Sequence, residues 1–383
     1  MEENNLLNNK LLAAITDNNL QLVKKLLADG ADIHANDDTA MAIASANGNL
    51  EIIKYLVENG VNIHIHNENA LTLSAEFGYT DVVKYLVSIG ANIHANDEYA
   101  LVYSAAGGYF DIVKFLVDNG ADINIGGVRA LLYAVENNYL NIVKYLINAG
   151  VDVHAQNDSA IRTAAEYGYI NIVKYLVESG ADLHAYNDIA LINSAKGGHL
   201  EVVTYLINHG ANVSANNNAA LKVAVDNRDL DIVKYLVKVG ADVHANNDYA
   251  LFASAEEGYL EMVKFLIESG ADISADNYYA LTISREMRNN EVSEYLEGII
   301  TAKKGLTRNH EIIVNQKAKN KKYWLVIADG DNAADDMLFL CDTEKEAIEL
   351  FRKFNYYDET VIVKVVEMKP YTKEMVEEIL ANN

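Results

Sequence analysis

The sequence holds a single cysteine, Cys341, so no disulfide can form within the chain. A chain of this kind is expected in a reducing compartment, and the cytoplasm is the expected location. Proline is as scarce, with Pro370 alone. Positive charge is short: 31 Lys and Arg stand against 55 Asp and Glu, a formal net charge of -24. Phosphate contacts need clustered Lys and Arg, so this balance argues against nucleic acid or an anionic membrane surface as the main partner. No run approaches the roughly 18 apolar residues of a membrane span. The opening Met1-Glu2-Glu3-Asn4-Asn5 lacks the basic start and apolar stretch of a secretory signal. A soluble chain is expected, and 383 residues suffice for two domains or one elongated array.

What the sequence does have is a period. Gly30, Gly60, Gly90, Gly120, Gly150, Gly180, Gly210, Gly240 and Gly270 stand at one constant spacing, each followed by Ala or Val, then Asp or Asn, then an aliphatic residue. With the less regular unit before Gly30 and the one after Gly270, about ten units fill residues 1–300. Each unit shows helical periodicity twice. Leu101, Ser104 and Ala105 fall at i, i+3 and i+4 on one narrow face whose small members let a neighbouring helix come close. After Gly107-Gly108, the residues Ile112, Val113, Leu116 and Val117 form a wider apolar stripe, with Lys114 and Asp118 facing outward. These patterns predict a short inner helix followed by an outer helix. An acid or amide near the start of the outer helix (Glu51, Asp81, Asp111, Asn141, Asn171, Glu201, Asp231, Glu261) complements the positive helix end. The period glycine supplies a left-handed C-cap.

One helix pair of this size cannot bury its own apolar face, so units must stack in series and the end units must differ. Lys10, Gln21 and Lys25 in the first unit (1–30) and Arg285, Arg288, Ser293 and Glu294 in the last (271–300) are expected to face solvent as caps.

The phrase Gly-Ala-Asp-Val/Ile-x-Ala, a helix, then Gly-Tyr/His-Leu-Glu/Asp-Val-Val-Lys-Tyr-Leu resembles the ankyrin repeat. It is seen best at Gly198-His199-Leu200-Glu201-Val202-Val203 and covers about 300 residues. The chain departs from the usual unit of roughly 33 residues with its Thr-Pro-Leu-His opening; the matching stretch here is Tyr249-Ala250-Leu251-Phe252, and no proline occurs in residues 1–300. The shortfall falls between Ala35 and Ala40 and their equivalents, so the projecting hairpin fingers of ordinary ankyrin arrays are expected to be clipped. The short unit with its Asn-Asp-rich loop is similar to ankyrin arrays encoded by giant DNA viruses of amoebae.

The resemblance implies recognition of a partner protein by loop tips and by the exposed side of the inner helices, on the concave face. Side chains there vary while the frame repeats. The predicted stripe runs from Phe77 through Tyr99, Arg129, Arg162 and Tyr167 to Tyr249 and Phe252. Aromatic residues and arginine are the usual hot-spot types. Glu76, Glu136, Glu166 and Glu256 flank the stripe and favour a partner with a basic or mixed surface. The alternative is ordinary surface variation between repeats.

Six histidines share one repeat position: His34, His64, His94, His154, His184 and His244. Stacked helix pairs repeat every ~8–10 Å, whereas ligands of one zinc each lie about 2 Å from it. A shared metal is therefore not expected, and no cofactor is. Ser214, Ser274 and Asn124 take the same position, so loop hydrogen bonding to the next turn's backbone is the expected role. Tyr55, Tyr85, Tyr145, Tyr175, Tyr205 and Tyr235 are expected to line a packed flank, and Tyr79, Tyr109, Tyr139, Tyr169 and Tyr259 to hold a turn.

Composition changes after residue 300. Residues 301–383 contain 13 Lys or Arg and 15 Asp or Glu, which leaves 18 and 40, a net charge of -22, on the array. The stretch 301–322 is basic and reads as a linker; leaning on the acidic array or reaching a phosphate-bearing partner are its other readings. Residues 323–383 read as a small α+β domain. Strands are predicted over 323–328, 337–340 and 360–368, a helix over 344–354 behind a Thr343/Glu346 capping box, and a last helix near 372–380. The acidic stretch 329–336 is a turn, since an EF-hand glutamate at loop position 12 would fall on Leu340. Cys341 has no histidine near it in sequence.

The fold expected is therefore mainly α, an ankyrin-repeat solenoid of about ten helix-turn-helix units with a small α+β C-terminal domain. The function expected is a monomeric, non-enzymatic scaffold that binds protein. A catalytic or ligand-binding C-terminal domain delivered by the array is the rival reading. It lacks a glycine-rich phosphate loop, a paired nucleophile and base, and clustered metal ligands.

Overall fold

The computed structural model describes residues 2–301, 324–328 and 337–341. It divides into two units, residues 1–287 and 288–383.

In the first unit, short helices alternate along the chain. The inner set is Glu2–Thr16, Ala35–Ala46, Asn69–Glu76, Ala95–Ala106, Val128–Glu136, Ala155–Glu166, Ile189–Lys196, Ala215–Asp226, Ala245–Glu256 and Ala275–Glu286. The outer set is Leu20–Ala28, Leu50–Glu58, Thr80–Ser88, Phe110–Asp118, Leu140–Asn148, Ile170–Glu178, Leu200–Asn208, Leu230–Lys238 and Leu260–Glu268. Inner helices of neighbouring repeats contact one another, each of the first nine also contacts its own outer helix, and outer helices contact one another less extensively.

The core follows the two apolar patterns. Ile112, Val113 and Leu116 are buried, as are Leu101, Ser104 and Ala105 on the narrow face. Each large aliphatic side chain so buried is worth about 1.5–3 kcal/mol, while Ser104 returns its hydroxyl hydrogen bond to Leu101 O at 2.9 Å and so costs little in the core.

Each outer helix ends as its glycine dictates. All nine period glycines have φ between +91° and +106°. At the first, Gly30 N–H donates to Leu27 O and Ala31 N–H to Leu26 O, the paired bonds of a Schellman cap. An added Cβ at Gly120 would meet nothing within 4 Å, so backbone conformation, not space, selects glycine there. The glycine between the two helices answers to a second constraint. A Cβ at Gly108 would lie 2.6 Å from the Tyr139 ring of the next repeat, and Gly48 and Gly78 face Tyr79 and Tyr109 in the same way. The turn tyrosines thus seat themselves on the preceding repeat's glycine.

No hairpin strands occur among the described residues of the array, and the loop that replaces the finger winds left-handed. Three consecutive residues have positive φ at 66–68, 96–98, 156–158, 186–188, 216–218, 246–248 and 276–278. Asparagine or aspartate holds the middle place in all seven: Asn67, Asp97, Asn157, Asn187, Asn217, Asn247 and Asn277. These residue types tolerate the left-handed region because their short polar side chains bond locally. The repeat 121–150 is different: residues 123–127 form a π-helical turn and Val128 is right-handed at φ -64°.

Lys10, Gln21, Lys25 and Arg285 are exposed, as caps require. In the second unit, a helix spans residues 290–301 with Val292 and Leu296 buried. Arg288 and Glu294 are exposed there, but Ser293 is not. It is buried and donates to Asn290 O at 2.9 Å, because it stands where earlier repeats carry a core valine such as Val113. The strands Trp324–Ala328 and Met337–Cys341 pair antiparallel, with Trp324 opposite Cys341 and Ala328 opposite Met337. The predicted linker beyond residue 301, the acidic turn, the third strand and the helices expected over 344–354 and 372–380 lie outside the described residues.

Candidate protein-binding surface

The inner helices carry the predicted stripe. Phe77, Tyr167, Glu136, Glu166 and Glu256 are exposed, and Glu76, Tyr99, Arg129, Arg162, Tyr249 and Phe252 are half-buried. All the half-buried members except Glu76 share a cause, since each is braced against its own array. Arg129 donates to Asp97 O in the preceding loop and lies 5.2 Å from the Tyr99 ring. Arg162 donates to Asn157 O and Gln156 O at 3.1 and 3.0 Å and sits 4.8 Å from the Tyr186 ring. Its guanidinium thus caps carbonyls that the left-handed turn leaves open. Tyr249 donates to Asp226 at 2.7 Å under the Lys222 ammonium, and Phe252 meets Tyr279 edge-on at 5.2 Å. Lys222 pulls the Tyr249 hydroxyl pKa down, but the Asp226 acceptor and burial outweigh it and hold it above the ordinary tyrosine value.

The freer aromatics are Phe77, 48% exposed, Tyr167, 53%, and Tyr133, 41%. Tyr133 and its neighbour Tyr103 were not among the predicted residues. They lie at i+4 from Arg129 and Tyr99, so the helical period that placed those two also marks them. Among the described residues no ion pair joins Glu76, Glu136 or Glu166; Glu166 reaches only the neutral Asn193 amide, at 3.5 Å. Four cations on the same side are engaged internally, Lys222 with Asp226, Arg228 with Glu257, and Arg129 and Arg162 with carbonyls, while Lys196 is exposed and joins no ion pair among the described residues.

For five of the six histidines, the ring bond found among the described residues is not to the next turn's backbone. Each ring turns back on a carboxylate four residues on: His64 to Glu68 at 2.5 Å, His94 to Glu98 at 2.6 Å, His154 to Asp158 and His184 to Asp188 at 3.0 Å, and His244 to Asp248 at 3.1 Å. Those carboxylates are buried, an outcome hidden in a loop rich in Asn and Asp. Four of them, all but Glu68, reach the next repeat, as does Asn218 at the same position. The backbone N–H of Asp122, Asp182, Asn212, Asp242 and Asp272 donates to Glu98, Asp158, Asp188, Asn218 and Asp248 at 2.8–3.0 Å. The two bonds offset the desolvation cost of Asp158, Asp188 and Asp248, whereas Glu68 and Glu98 each keep one buried carboxylate oxygen with no partner among the described residues.

The outer-helix tyrosines form a further row. Lys24, Lys54, Lys114, Lys144 and Lys174 each lie 5.1–6.0 Å from the ring of the following repeat's Tyr55, Tyr85, Tyr145, Tyr175 or Tyr205. Tyr145 also donates to Asp118 at 2.9 Å, and burial together with that acceptor pushes its pKa up to about 12.

Stacked pairs of antiparallel helices with a left-handed glycine cap define a helical-repeat solenoid, a class that recognises ligands by its surface. Ankyrin-repeat family models match residues 11–97, 92–157, 161–247 and 246–278, and the chain belongs to the ankyrin-repeat family. It is similar to the crystal structure of the human ASB11 ankyrin repeat domain, with TM-score 0.47 and 22% identity over 52% of this chain and 96% of that one. Comparison with curated proteins gave no match. No helix among the described residues is long and apolar enough to cross a membrane. Ankyrin repeats in general mediate protein–protein interaction.

Proposed function

We propose that the inner-helix face binds a basic segment of a partner protein, and that the chain works as a non-enzymatic adaptor. The observation that carries this reading is the pairing of exposed aromatics with carboxylates that join no ion pair among the described residues: Phe77 with Glu76, Tyr133 with Glu136, and Tyr167 with Glu166. An aromatic face beside a carboxylate suits a lysine or arginine, whose alkyl stem and cation engage ring and charge together. Tyr99, Arg129, Arg162, Tyr249, Phe252 and Glu256 extend the surface, with the arginines and Tyr249 also bracing it.

The finer features of the reading are a monomeric array with a cytoplasmic location and a small α+β domain over 323–383 that presents the captured partner. The 30-residue unit suggests kinship with arrays of giant DNA viruses of amoebae, in which case the cytoplasm is the host's.

Purifying the full chain with bound proteins from its natural source, then measuring the recovered partner against Glu76→Gln/Glu136→Gln/Glu166→Gln and Phe77→Ala/Tyr133→Ala/Tyr167→Ala, tests the proposal. The aromatic variant is expected to cost more than about 2 kcal/mol of binding. The glutamine variant is expected to flatten the salt dependence. An acidic partner, or one whose binding neither variant changes, refutes it.

A further inference from the structure

Where both sides of a junction are described, the latch bond is missing at two, after repeats 61–90 and 121–150, and only after 121–150 are the loops also without a side-chain link among the described residues. We propose that the array opens there, between repeats 121–150 and 151–180, as a hinge built into the middle of the solenoid.

The latch residue is the third of the left-handed triple, which hands a side-chain oxygen to the next repeat's backbone. In repeat 121–150 that residue is Val128. Valine has no acceptor to give, and its β-branch excludes the left-handed region. The loop accordingly winds the other way through Gly126 and Gly127, where a Cβ would run into Glu98 and Val151 respectively. Asn124 replaces the histidine and bonds only to Asp122 in its own loop. No hydrogen bond to the Asp152 N–H is found among the described residues.

A second set of links fails at the same place. Side-chain amides tie successive loops together at Asn67–Asn96, Asn157–Tyr186, Asn187–Asn216 and Asn217–Asn246, and Arg129 ties its repeat back to Asp97. Asn92 also lacks its latch bond, but there Glu68 is present and the Asn67–Asn96 link holds the loops. Nothing of either kind joins residues 122–128 to 152–158 among the described residues.

The other two edges of this junction remain closed. On the turn edge Tyr169 donates to Glu136 O at 3.2 Å. On the outer edge Tyr175 donates to Asn148 at 3.2 Å, with Lys144 5.4 Å from its ring. Leu131, Leu146, Ile161 and Leu176 stay buried between. Two fastened edges and one free edge define the motion: the loops separate while the outer helices act as the pivot. Tyr133 and Glu136 lie on one side and Glu166 and Tyr167 on the other, so on the binding reading above the hinge also sets their spacing.

Matched reporters exist for the test. The N–H groups of Ala155, Ala185, Ala215 and Ala245 donate to Asp152, Asp182, Asn212 and Asp242 carbonyls in the same geometry, at 3.1–3.4 Å. In hydrogen exchange of the full chain read by NMR, Ala155 is expected to exchange roughly ten- to hundred-fold faster than the other three, the equivalent of one lost bond to a charged acceptor. The variant N124H/V128D restores histidine and carboxylate, with Gly126 and Gly127 free to adopt the left-handed turn, and is expected to bring Ala155 within about three-fold of the rest. Equal rates in the wild-type chain overturn the hinge whatever the variant does. A fast Ala155 that N124H/V128D leaves fast overturns it too, because the missing latch is then not the cause. No partner takes part in the measurement, so its failure leaves the binding reading standing.

Discussion

Replacing Asp188 by alanine strikes one latch while leaving both hydrophobic cores of the junction in place. Asp188 is 4% exposed and has φ +58°. It accepts from Asn212 N–H at 2.8 Å and from His184 Nδ1–H at 3.0 Å. A bond to a charged acceptor is worth about 1.5–3 kcal/mol on removal, and His184 is exposed enough to recover water, so the lower figure applies to it. Alanine also holds the left-handed conformation less well than aspartate, by roughly 1 kcal/mol. Asp188→Ala should therefore cost about 4–5.5 kcal/mol. Asp188→Asn keeps both the acceptor and the left-handed preference, as Asn218 does naturally at the next junction, where it takes the Asp242 N–H at 2.9 Å. Its cost should stay below about 1.5 kcal/mol. Solenoids unfold by repeat and interface, so urea denaturation of the full chain should be paired with exchange at the Asn212 amide, which localises the loss. Equal costs for the two variants, or less than about 1 kcal/mol for alanine, would show that the buried carboxylate is not what fastens the loops.

The two glycine positions separate conformation from space. Gly120→Ala should cost about 1–2 kcal/mol from its φ of +98° alone, and Gly108→Ala about 1–3 kcal/mol more because the Tyr139 ring must move; thermal denaturation of the pair checks the order. Tyr145 is raised to about 12, so its neutral form is the one that folding favours. The stability it contributes is fully present below about pH 10, the unfolded tyrosine value, and is lost as pH rises towards 12. Tyr145→Phe should remove the last-titrating component from the tyrosinate absorbance and weaken that pH dependence. Arg162→Met keeps bulk over Tyr186 but strips the donors from Asn157 O and Gln156 O. It should destabilise by about 1–2 kcal/mol by urea denaturation, and loss of partner binding with no loss of stability would return Arg162 to a purely recognition role.

Much of this was legible before any coordinates. Ile112, Val113 and Leu116 repeat at helical spacing, the glycines mark positive φ, and both descend from local rules that hold in any context. The first two C-terminal strands were legible from period and turn chemistry. The left-handed triple left a fainter mark, the asparagine or aspartate at each centre from Asn67 to Asn277. In sequence alone it shows only as loop composition, because one such residue signals a turn and three in a row signal nothing familiar. Ser293 misled because its type is polar while its register is that of a core valine.

The sequence by itself determined the unit: its length, its two helices, its glycine stop and the acidity of the whole. Stacking decided the rest. Glu98, Asp158 and Asp188 are ordinary loop acids until the next repeat lays its backbone N–H against them, and Arg129 and Arg162 look free until a neighbouring ring and carbonyl engage them. Side-chain partners one repeat away are set by how repeats dock, and no spacing along one chain segment contains that distance.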